Sequence, residues 1–177
     1  MKYFDELKRS MEFLAADPRV VFMGQAVAVP GTAMSNTLKD VAPGRLIELP
    51  VAEEMQMGMT TGLALAGQVP VSIFPRWNFL MCGLSQLVNH LDKLAVMSNG
   101  GYRAKAIVRT GIGSERPLHP QHQHVGDYTE ALARLEKAQG KVVPIIGPRL
   151  LVRAQVGGLA GGLARLREPR PEPQDAA

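Results

Sequence analysis

Five short apolar runs, Val20 to Met23, Arg45 to Leu49, Val69 to Phe74, Ala104 to Arg109 and Lys141 to Ile146, alternate along the chain with segments whose apolar residues recur at helical spacing. Runs this short have strand length, and strands that trade places with helices pack as a parallel sheet covered on both faces. The expected architecture is therefore α/β, a three-layer α/β/α sandwich around a mostly parallel sheet. In such a sheet, ligands gather at the carboxyl ends of the strands.

The helical segments are legible at similar resolution. Phe4, Leu7, Met11 and Leu14 mark a helix stopped by Asp17-Pro18, and Glu53 to Ala66 a second closed by Gly67. Residues 78–97 carry Leu80, Leu84, Leu87, Val88, Leu91 and Leu94 on one face and predict a single long amphipathic helix. Asp127 to Gln139 reads as a helix capped by Asp127 and ended by Gly140. Pro148 to Leu166 reads as a last helical stretch weakened by Gly157, Gly158, Gly161 and Gly162. Residues 25–44 have no clear period beyond one helical turn near Ala33 to Leu38, and residues 111–126 have none. Residues 1–166 are expected to form one domain, and 167–177, with three prolines, a disordered tail.

Composition narrows the function classes. The chain has 177 residues, 46% of them hydrophobic and 20% charged, enough for one domain with a sizeable core. A net charge of +4 invites a nucleic-acid reading, but the basic residues are scattered and form no stripe interleaved with aromatics. No apolar run approaches the roughly 20 residues of a membrane span, and the first residues read as a helix rather than a signal peptide. The one cysteine, Cys82, lies in an apolar helical pattern and reads as a buried thiol. A cytoplasmic protein without nucleic-acid or membrane partners is the expectation.

Two candidate sites stand out. Glu53 falls where the second apolar run gives way to a helix rich in small residues, Gly58, Thr60, Thr61, Gly62, Ala64, Ala66 and Gly67. By pattern it is either a first-turn acid that complements the helix dipole or a carboxylate, in a pocket walled by Leu49 and Val51, that shares a proton with a heterocycle. His119, His122 and His124 crowd one loop, but no cysteine or carboxylate completes a familiar zinc spacing, so no metal site is assigned. Arg76 and Arg109 are candidates for contacts to a substrate carboxylate but read first as surface or subunit-interface arginines.

The spaced set Pro50, Glu53, Gly58, Gly62, Ala66-Gly67, Phe74, Asn78-Phe79, Gln86 and Asn89 resembles the pyrimidine-binding domain of thiamine diphosphate enzymes. Among these it is most similar to the beta subunits of 2-oxo acid dehydrogenases and to transketolases, in unbroken register from about Gly24 to His122. The resemblance implies the thiamine diphosphate-binding fold in its pyrimidine module. It implies that Glu53 hydrogen-bonds a ring nitrogen of the cofactor and promotes its active tautomer. Phe79 would pack on the pyrimidine, Pro75 would line the pocket through its carbonyl, and His122, in the pair Gln121-His122, would face substrate. Without the resemblance, Phe79 reads equally as core packing and His122 as a solvated loop residue.

In this family a second domain, marked by Gly-Asp-Gly, grips the diphosphate and its magnesium ion. The sequence here has no such motif, Gly126-Asp127-Tyr128 being the nearest approach. The resemblance thus implies thiamine diphosphate with Mg2+ held by a separate alpha-type subunit, in a homodimer or heterotetramer acting on a 2-oxo acid or ketose. The further C-terminal domain of family beta subunits is not in this sequence. The implied reaction is 2-oxo acid decarboxylation and dehydrogenation, with transketolase-like ketol transfer as the alternative. A truncated or non-catalytic interaction subunit is the alternative of another class.

Overall fold

The computed structural model describes residues 3–112, 119–135, 142–147 and 150–155. Helix α1 (Tyr3–Ala15) leads into β1 (Val20–Gly24), and a short helix α2 (Ala33–Asn36) breaks the connection to β2 (Leu46–Glu48). Next come α3 (Glu53–Leu65), β3 (Val69–Phe74), α4 (Trp77–Cys82), a turn of π-helix (Gln86–Leu91) and α5 (Leu94–Met97). Then β4 (Ile107–Gly111), α6 (Thr129–Leu135), β5 (Val142–Gly147) and β6 (Leu150–Gln155) complete the described chain.

The strands form one sheet in the order β2-β1-β3-β4-β6-β5. The first four are parallel, so their carboxyl ends share one edge of the molecule. Strand β3 lies at the centre of these four and is buried at all six positions, as a strand covered on both faces must be. Its alternate residues face different layers. Val71 and Ile73 join Phe22, Ile107 and Met11 of α1 in one core cluster, whereas Phe74 joins Val108, Met57 of α3 and Trp77 and Leu80 of α4 in the other. The expected three-layer α/β/α sandwich is thus observed.

Three expectations change. Residues 150–155, expected to be helical, form β6, which pairs antiparallel with both β4 and β5. The edge of β4 supplies hydrogen-bonding partners that no local period reveals. The long helix expected over 78–97 is broken at Gly83, where a Cβ would come within 2.7 Å of Met57 Cγ and 3.1 Å of the Glu53 carbonyl. There α3 and the end of α4 approach so closely that the helix stops and restarts as a π turn. Cys82, the last residue of α4, is exposed rather than buried. The expected tail, 167–177, and the end of the 1–166 domain lie outside the described residues. No helix among the described residues is long and apolar enough to cross a membrane.

Candidate active site

The chain enters the site from β2. Leu49 N–H donates to the Gly24 carbonyl at 3.1 Å, after which Pro50, Val51 and Ala52 turn the chain into α3 with Glu53 as its first residue. Ala52 supplies no side-chain cap, so the amino end of α3 has Glu53 and Glu54 as its only first-turn acids. Of the two residues expected to wall the pocket, Leu49 is buried but Val51 is 63% exposed and faces outward.

Two contacts fix the position of α3, and sequence reasoning missed both. Gln56, 3% exposed, donates through Nε2 to Ser72 Oγ at 2.9 Å and to the Ile73 carbonyl at 3.1 Å, joining helix to central strand. The signal was present: a glutamine at a core-facing position one turn past Glu53 must find buried partners. The other contact is the approach at Gly83 against the Glu53 backbone. Glu53 is consequently held by its main chain, and among the described residues no hydrogen bond or ion pair engages its half-buried carboxylate. Glu54 differs, since its exposed carboxylate accepts from Gln86 Nε2 at 3.3 Å.

Pro75 directly follows β3, and its carbonyl oxygen lies 3.0 Å from where a Cβ on Gly111 would be, so the ends of β3 and β4 are pinched together. Phe79, half-buried on α4, packs against the second core cluster. Its ring is stacked on the His124 imidazole, with centroids 5.3 Å apart and planes 21° from parallel. Arg76 donates through Nη1 to the His124 carbonyl at 3.3 Å, and Trp77 meets Tyr128 edge to face at 6.1 Å. Of the loop histidines it is His124 that reaches Phe79. His122, on the same 3-10 turn, is exposed.

Arg109 is not the surface arginine expected. It is 1% exposed, beside Ile107 and Ile73 on the sheet face away from α3, and donates to Thr37 Oγ1 at 2.8 Å. Burial lowers its guanidinium pKa to about 10, against a smaller raising influence of Tyr3.

Trp77 Nε1, Asn78 Oδ1 and His124 Nδ1 are buried without a hydrogen-bond partner among the described residues. Trp77 and Asn78 share α4 with Phe79, and unpaired polar atoms on the helix that carries an aromatic ring are what a nitrogen heterocycle could satisfy, so this helix fits the ring of thiamine. Among the described residues no three His, Cys, Asp or Glu side chains converge on a point.

Residues 8–135 match the transketolase pyrimidine-binding domain. The chain belongs to that family. Among curated relatives of this transketolase-like domain, it is 32% identical over 114 residues to a pyruvate dehydrogenase E1 component subunit beta of Rickettsia bellii, covering 63% of this chain and 35% of the relative. The mitochondrial E1 subunit beta of Drosophila melanogaster is 33% identical over 112 residues, 62% of this chain and 31% of the relative. That of Staurastrum punctulatum is 27% identical over 141 residues, 77% and 43% respectively. The pyrimidine-binding domain in hand thus spans well under half the length of these relatives.

Proposed function

We propose that this chain forms the pyrimidine-binding half of a thiamine diphosphate site, in an enzyme that decarboxylates a 2-oxo acid as part of its dehydrogenation. The observation that carries the reading is Glu53, an acid held by its backbone at the strand-to-helix junction of a pyrimidine-binding domain, its carboxylate uncommitted among the described residues. When bound, thiamine diphosphate supplies a nucleophilic carbon and an electron sink for decarboxylation. The chain's own residues prepare that chemistry. Glu53 shares a proton with a ring nitrogen, Phe79 offers a stacking face worth about 0.5–1.5 kcal/mol beyond burial, and the Pro75 carbonyl accepts at the ends of β3 and β4. His122, exposed on its turn, is assigned to the substrate end.

The diphosphate and Mg2+ belong, on this reading, to a separate alpha-type subunit, which the likeness to beta subunits of an E1 component supports. The isolated chain is expected to show no micromolar binding of thiamine diphosphate with magnesium by calorimetry. Micromolar binding with turnover by the isolated chain would overturn the shared site.

The outer face of α3 supports a partner there. Val51, Met55 and Leu65 are 63%, 45% and 45% exposed, and Cβ atoms added at Gly58 or Gly62 between them would meet nothing within 4 Å. Alanine at Gly62 therefore fits the lone chain and should stabilise it by about 0.5–1 kcal/mol through helix propensity. Where another backbone packs on the glycine, the same methyl should weaken assembly. Melting temperature and sedimentation of Gly62→Ala are expected to move in opposite directions, and a variant that melts higher and assembles unchanged would remove this face from the interface.

A further inference from the structure

The face of Phe79 is where a flat ligand ring would rest, and it already carries a ring. His124 lies over it at 5.3 Å and 21°, and Phe79 also packs against the second core cluster, so the ring has a core side and a His124 side. Nothing fits between them. A third ring inserted into the stack would need roughly 7–8 Å between the outer two, at about 3.5–4.0 Å for each layer of contact. A heterocycle therefore stacks on this side of Phe79 only after the imidazole has left.

The imidazole is held in a way that permits departure. Its Nδ1 is buried with no partner among the described residues, and the hydrogen bond from Arg76 reaches the His124 carbonyl, not the ring, at a long 3.3 Å. The turn is entered through Gln121 at φ +64 and ψ −179, a conformation that glycine adopts freely and other residues hold only under strain. Strain of this kind clusters at active sites, ligand clamps and switch segments.

We propose that His124 is a resident ring that holds the stacking position on Phe79 and is exchanged for a ligand's heterocycle on binding, the His122–His124 turn moving off with it. For the identity of the incoming ring this rests on the thiamine reading above. The exchange itself holds for any flat heterocycle of similar size. Because His122 shares the turn, the same movement links ring binding to the position of the histidine assigned to the substrate end.

The test uses the full chain with 4-aminopyrimidine and with indole, followed by NMR of the His124 ring protons. Saturation of the wild type with either ring should move those protons out of the ring current of Phe79. His124→Ala should bind both rings about 2- to 10-fold more tightly, the size of one aromatic stacking contact. His124→Gln, which keeps a polar side chain of similar reach without the aromatic face, should match that gain. His124 protons that stay shielded at saturation, or variants that bind both rings no tighter than the wild type, would overturn the exchange. Glu53→Gln separates the two ideas. The thiamine reading requires it to weaken 4-aminopyrimidine and spare indole, and an equal response of both rings, with the His124→Ala gain intact, would defeat that reading and leave the exchange standing.

Discussion

Glu53→Gln in the assembled enzyme is expected to lower turnover at least about 100-fold, the usual scale of a lost proton-transfer group, while its neighbour Glu54→Gln leaves turnover within about twofold. The pair is informative because both acids occupy the first turn of α3. A helix-dipole role would make them equivalent, each contributing about 0.3–1 kcal/mol to stability and nothing to chemistry. Their surroundings differ: the exposed Glu54 accepts from Gln86, whereas among the described residues no hydrogen bond or ion pair engages the half-buried Glu53. Hydrogen-deuterium exchange at the thiazolium carbon, followed by NMR in the same assembly, isolates the proton step from later ones. Equal exchange rates for wild type and Glu53→Gln would return Glu53 to the rank of a first-turn acid. Both variants should melt within about 2 °C of the wild type, since neither side chain is buried against the core.

The parts of this structure that sequence made legible are those set by local period. Strands β1 to β4 and helices α1 and α3 each bury one stripe or both faces, and their apolar residues recur accordingly. Glu53 was legible for the same reason, because a strand and a helix of clear period fix the junction between them. What escaped depends on contacts between distant segments. Residues 150–155 carry no strong alternation, and their conformation is decided by the edges of β4 and β5. Gly83 looks like any other residue in a helical stripe until Met57 and the Glu53 carbonyl are placed against it. The histidine loop is a third case. A loop has no period to say which of His122 and His124 turns inward, and the stack on Phe79 is a tertiary choice.

Gly24→Ala is expected to cost about 3 kcal/mol or more, combining overpacking with a strained backbone, which corresponds to a fall in melting temperature of about 6–12 °C for a chain of this size. Gly24 ends β1 at φ +148, and a Cβ there would lie 2.2 Å from the Ile73 carbonyl oxygen and 3.2 Å from Gln56 Nε2. Neither neighbour can yield cheaply. The Ile73 carbonyl belongs to the central strand and accepts from Gln56, while the chain after Gly24 is held by the Glu48 carboxylate, which accepts from Ala26 N–H at 2.6 Å and Ala28 N–H at 2.7 Å. Gly31→Ala isolates the backbone component, because Gly31 has φ +85 and a Cβ there would meet nothing within 4 Å. It should cost about 1–2 kcal/mol, and the difference between the two variants measures the steric clash. The clash also reaches the site, since displacing Gln56 loosens the bond that joins α3, and with it Glu53, to β3. Residual activity of Gly24→Ala, measured well below its melting point, should therefore fall while that of Gly31→Ala does not. Equal melting temperatures for the two would mean that β1 and β3 can part at their carboxyl ends without loss, and the framework holding Glu53 would be softer than its hydrogen bonds imply.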